Sequence, residues 1–195
     1  MFLVIMRPLI RRLDRLLRSR LGIVELCDTP EFVFRVRVAA ATRPLRTLTS
    51  EIPARARLLE LHLWNERVPP AAAAQPNSVA CAVKLHRMIG SSLRTLAVRL
   101  REDDRLTGIS AVGGTATIAA AAAGSCAGAI LARLGFALTP HRCKSGRIGE
   151  FWEKVHSWMI TWAFGSGTVR HHGPLQTRRV EFWITADEFV RRYAR

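Results

Sequence analysis

Residues 106–132 carry no charged side chain, and no other stretch constrains the fold as much. So long a neutral segment belongs either in the hydrocarbon of a bilayer or inside a folded domain. Its composition separates the two. Five glycines, three threonines and two serines stand against six Leu, Ile and Val residues. A segment this poor in large apolar side chains gains little from lipid. Gly124 and Gly128 do match the GxxxG spacing of membrane helix dimers. The better reading is a buried strand at 109–118, which Gly113 and Gly114 can bend, followed by a tightly packed helix at 119–134 closed by Gly135.

The flanking segments supply a sheet and its cover. Phe32, Phe34, Val36 and Val38 alternate with Arg35 and Arg37, which predicts a strand at 32–38 with both arginines in water. Leu59, Leu61 and Leu63 alternate with Leu58, Glu60, His62 and Trp64 in a second strand at 57–64. Val68-Pro69-Pro70 then stops regular pairing, because proline has no N–H to give. Residues 42–55 read as loop with a short strand at 47–49, and 136–138 as another short strand. In a strand at 179–184, Val180, Phe182 and Ile184 face the core, and Glu181 and Trp183 face away. Helical spacing predicts helices at 8–21, 78–102, 148–164 and 186–193. Asn77 or Ser78 caps the second, and Thr185 with Glu188 forms a capping box for the last. Trp152, Trp158 and Trp162 sit at helical spacing and read as core. The expected fold is a mixed α/β (α+β) single domain: a central sheet of about five strands with flanking helices over 23–195, and a basic amphipathic N-terminal helix at 1–22.

Lys and Arg number 30 against 15 Asp and Glu, a net charge of +15, and all but Lys84, Lys144 and Lys154 of the cations are arginine. The guanidinium fork bonds two phosphate oxygens at once, so anionic lipid, nucleic acid and acidic proteins are all candidate partners. A compositional bias toward Arg and Ala accounts for part of the excess. Leu9, Leu13, Leu16, Leu17 and Leu21 line one face of the first helix, and Arg11, Arg12, Arg15, Arg18 and Arg20 cover much of the rest. That pattern suits either a helix lying on an anionic membrane surface or one docked on its own domain. Nucleic-acid binding rests on charge alone, since no RRM, KH or helix-turn-helix signature is present. The apolar start, Met1 to Met6, is too short for an export signal. Cys27, Cys81, Cys126 and Cys143 form no CxxC pair and no metal spacing. A cytoplasmic protein, peripheral to the inner membrane at most, is expected.

Two places offer chemistry. At the end of the second strand, Glu60, His62, Trp64, Asn65, Glu66 and Arg67 gather two carboxylates, an imidazole, an amide and a guanidinium. Glu60 and His62 share a strand face and can form an acid–base pair, and Arg67 can pair with Glu60 or Glu66. The loop bearing Arg170, His171 and His172 follows Gly165-Ser166-Gly167 and could hold a phosphate, although it lacks the lysine and following helix of a P-loop. There is no GxSxG, no HExxH and no HxE with CxxC. No metal ligand set and no cofactor are expected, and the catalytic residues are unknown.

Four stretches in order resemble the bacterial YkoP-like domain family: Arg11-Arg12-Leu13-Asp14-Arg15-Leu16-Leu17, Leu59-Glu60-Leu61-His62-Leu63-Trp64-Asn65-Glu66, Ser91-Ser92-Leu93-Arg94-Thr95-Leu96-Ala97 and Val180-Glu181-Phe182-Trp183-Ile184-Thr185. Such domains occur attached to or beside polysaccharide deacetylases, so the resemblance implies an envelope or glycolipid context and a partner envelope enzyme. It brings no catalytic residues, and the deacetylase's metal-binding Asp with two His is not in this chain. The function expected is a non-catalytic accessory or binding domain on an anionic membrane surface or an envelope enzyme. The alternatives are an enzyme acting on a phosphate- or sugar-bearing lipid through Glu60 and His62, or non-specific nucleic-acid binding.

Overall fold

In the computed structural model the described residues are 20, 22–63, 67, 79–119, 126–141 and 177–195. Seven strands and three α-helices occupy them, with one 3-10 turn at Asp104–Leu106: β1 (Phe34–Ala40), β2 (Leu45–Arg46), β3 (Glu51–Ile52), β4 (Arg57–Leu63), α1 (Val79–Glu102), β5 (Ile109–Ala119), α2 (Cys126–Arg133), β6 (Ala137–Pro140), β7 (Thr177–Thr185) and α3 (Ala186–Tyr193). Five strands form one sheet in the order β1-β4-β5-β7-β6. β4 and β5 run parallel. The chain passes between them through α1, since parallel neighbours need a long crossover. The other pairs are antiparallel.

The charge-free run therefore enters the sheet. Its first part is the central strand β5, paired over nine residues with β7, from Ala111 opposite Thr185 to Ala119 opposite Thr177. Among the described residues no helix is long and apolar enough to cross a membrane. The β5–β7 register runs unbroken through Gly113 and Gly114, and both glycines let neighbours approach. A Cβ on Gly113 would lie 2.0 Å from the Phe182 carbonyl oxygen and 2.5 Å from the Trp183 ring, and one on Gly114 would lie 2.7 Å from the Leu61 carbonyl oxygen. The register irregularity falls instead between Arg57 and Leu58.

One face of the sheet carries Val36, Leu59, Leu61, Val112, Phe182 and Ile184, and α1 and α3 cover it with Leu93, Leu96, Ala97 and Phe189. Phe136 meets Phe182 edge to face with centroids 5.2 Å apart. Ser92 Oγ accepts from Val33 N at 3.0 Å and donates to the Glu31 carbonyl at 3.2 Å, which ties α1 to the approach of β1. On the opposite face the β2–β3 hairpin packs Leu45 and Ile52 on Leu58, Ala111 and Trp183.

Several expectations shift. The strand expected at 47–49 is the hairpin turn, where Thr47 Oγ1 accepts from Ser50 N. Ala119 ends β5 instead of opening a helix, and α2 begins at Cys126. Arg35, expected in water, is 7% exposed with its Nε on Glu25 at 3.0 Å, and Glu181 and Trp183 are 7% and 5% exposed. Their face of the sheet is covered in part, so alternation alone does not put a side chain in water. Thr185 Oγ1 does accept from Glu188 N at 3.3 Å, but the Glu188 carboxylate accepts from Arg191. Gly22, after helical Arg20, has φ 66°, the left-handed geometry of a helix stop. The rest of the helix at 8–21, the helix at 148–164 and the Asn77/Ser78 cap lie outside the described residues.

Candidate functional site

Strand register brings the polar side chains together. Arg37 lies opposite Glu60, Glu60 beside Gly113, Gly113 opposite Trp183, and Trp183 opposite Ala137. One step along, Arg35 lies opposite His62, and Thr115 and Thr139 flank Glu181. Directly opposed residues share a face, so the face away from α1 carries two carboxylates with their arginines and the His62 imidazole. Neighbouring strands lie about 4.8 Å apart, so the β4 and β7 groups stand roughly 10 Å apart at the backbone.

In the β4 group, Arg37 donates through Nε to Glu60 Oε2 at 2.8 Å and through Nη2 to the same oxygen. His62 Nε2 sits 3.8 Å from that oxygen. The His62 side chain is 38% exposed, yet Nε2 itself is buried and has no hydrogen-bond partner. Burial holds this imidazole below its ordinary 6.5, with Glu60 opposing and Arg37 reinforcing. The ring is therefore neutral at pH 7, beside a carboxylate already neutralised by an arginine. Such a ring can accept or donate one proton to a bound group.

The β7 group was hidden in the sequence. Glu181 Oε1 lies 3.0 Å from His141 Nδ1, its Oε2 accepts from Arg43 Nη2 at 2.8 Å, and Trp183 Nε1 is 3.5 Å from Oε2. A carboxylate on Nδ1 orders an imidazole and selects its tautomer, as a base–orienter pair requires. Among the described residues no group of three or more His, Cys, Asp or Glu could hold a metal ion.

Among the described residues Arg67 pairs with Asp28 and not with Glu60, and Glu66 lies outside them. Arg67 donates to Asp28 Oδ1 at 2.9 Å and to the Thr29 carbonyl at 2.5 Å, pinning the segment ahead of β1. Trp64, Asn65, Glu66, Arg170, His171, His172, Arg11, Arg12, Arg15 and Arg18 lie outside the described residues, and Arg20 is exposed. Glu181, His141, Arg43 and Arg37 went unnamed as site residues. No local signal marks them, because their meeting depends on the β5–β7 register and on the hairpin's fold-back.

The family model of the YkoP domain matches residues 13–193. The chain belongs to the YkoP domain family. No curated protein and no solved structure matches it significantly. The YkoP match takes in every strand and helix described above, and both polar groups, and begins just after Arg11 and Arg12.

Proposed function

We propose that this YkoP domain is a non-catalytic accessory module that docks on an anionic membrane surface. The supporting observation is how the charge is distributed. Glu25, Asp28, Glu60, Asp103, Glu181 and Glu188 each already hold an arginine. The surplus stands in solvent: Arg46, Arg55, Arg87, Arg94, Arg99 and Arg133 are exposed, with no hydrogen bond or ion pair from their side chains. Unneutralised guanidiniums suit lipid phosphates. Vesicle co-sedimentation tests the reading. Binding should rise with the fraction of anionic lipid and fall with salt, and equal pelleting with neutral vesicles, or none, overturns it.

A second reading, an enzyme acting on a phosphate- or sugar-bearing lipid, is favoured by the unpartnered His62 Nε2 beside Glu60. Buried polar atoms without partners concentrate at sites that a ligand completes. If so, His62→Ala leaves stability unchanged or raised while ligand binding is lost; a purely structural role lowers the melting temperature instead.

A further inference from the structure

The docking reading leaves open which surface meets the lipid, and the sequence pointed to the arginines of residues 11–20. We infer that the exposed face of α1 is the membrane contact, with a bilayer of anionic phospholipid as its occupant. This inference rests on the docking proposal and deepens it.

Arg87, Arg94 and Arg101 recur every seven residues of α1. An ideal helix drifts only about 20° per heptad, so the three lie in one stripe. Lys84 stands one turn before Arg87, which extends the stripe to about 25 Å at 1.5 Å per residue. All four are exposed. Lys84, Arg87 and Arg94 have no hydrogen bond or ion pair, and Arg101 meets only Glu102 in an exposed pair at 2.9 Å. A surface pair of that kind exchanges readily for another anion. The helix cannot roll the stripe away, because Ser92, Leu93, Leu96 and Ala97 are buried on its other side and Ser92 is bonded to the backbone around β1.

Two features choose lipid over nucleic acid. Val83, 41% exposed, lies four residues before Arg87 and so on the same side, where an apolar group can enter the acyl boundary. The stripe also offers no aromatic side chain to stack on a base. A straight row of cations beside an apolar residue matches a flat layer of phosphates.

The experiment compares the full-length chain with two variants on vesicles of 30% phosphatidylserine in phosphatidylcholine, with thermal melts as a folding check. One variant carries Lys84→Gln, Arg87→Gln, Arg94→Gln and Arg101→Gln; the other replaces Arg11, Arg12, Arg15, Arg18 and Arg20 by Gln. The stripe variant should lose more than tenfold in partitioning while the N-terminal variant keeps most of its binding. A third variant, with Arg87→Lys, Arg94→Lys and Arg101→Lys, should bind like wild type and guards against a folding defect in the Gln set. If wild type binds and the stripe variant binds equally, the α1 face is wrong although docking stands. If wild type ignores anionic vesicles, the docking proposal and this inference fall together. Tighter binding to random-sequence duplex DNA than to vesicles at the same salt assigns the stripe to nucleic acid and overturns the inference.

Discussion

Glu181 and His141, forty residues apart, meet at 3.0 Å, carboxylate oxygen to ring nitrogen, on one face of the sheet's β6–β7 edge. The same carboxylate holds Arg43 from the far end of the domain's sequence. Removing its charge takes the carboxylate from a largely buried imidazole and from a guanidinium together. Glu181→Gln should cost about 3 kcal/mol in urea unfolding. Arg43→Ala, on a partly exposed partner, should cost less, about 1 kcal/mol. Equal losses from both would place the cost in the hairpin's packing and not in the carboxylate.

His62 gives the stability a pH dependence whose sign can be worked out. Its folded pKa is depressed by burial below the ordinary 6.5. The unfolded chain therefore takes up a proton near pH 6.5 that the folded chain refuses. This contribution is complete above about pH 6.5 and is lost as pH falls below that, levelling once the folded group also protonates. His62→Asn should flatten the slope between pH 7.5 and 5 in denaturant titrations. An unchanged slope would assign the effect to other groups.

Ser92 is a small polar residue on the buried side of α1. Ser92→Ala leaves the Val33 N–H with no acceptor inside the core. The expected loss is about 1–3 kcal/mol by chemical denaturation, large for the deletion of one oxygen.

Glycines separate by position. Gly113→Ala forces a methyl into the Phe182 carbonyl and the Trp183 ring. It should cost more than about 4 kcal/mol and leave little soluble protein. Gly90→Ala in α1 meets only the Arg94 guanidinium, at 3.8 Å, and should stabilise by about 0.8 kcal/mol through helix propensity. Melting temperatures of the pair check both signs.

Periodicity carried most of the fold. β4, α1, β7 and α3 fall within a few residues of where apolar spacing and the Thr185 cap put them. The low count of large apolar residues at 106–132 correctly argued for a strand over a membrane span. The site was less legible. Alternation assigns a residue to one side of a strand but does not say whether that side is covered, so Glu181 and Arg35 read as wet and are buried. Glu60 and His62 were found because they are two apart on one strand. Arg37 beside them follows only from the β1–β4 register, and Arg43 only from the hairpin folding back onto Trp183.

The order of the strands sets a timetable for synthesis. β5 is the middle of the sheet, yet its long partner β7 is made some seventy residues after it. At ribosomal speeds that is a wait of roughly 4–15 s, during which one edge of an uncharged strand stands open beside the nascent chain. Open strands of this kind template cross-β stacking, and glycine weakens that stacking by offering no side chain to interdigitate. Gly113 and Gly114, at the middle of β5, thus serve twice: they admit Trp183 and Leu61 once the sheet closes, and until then they make the waiting strand a poor seed for aggregation.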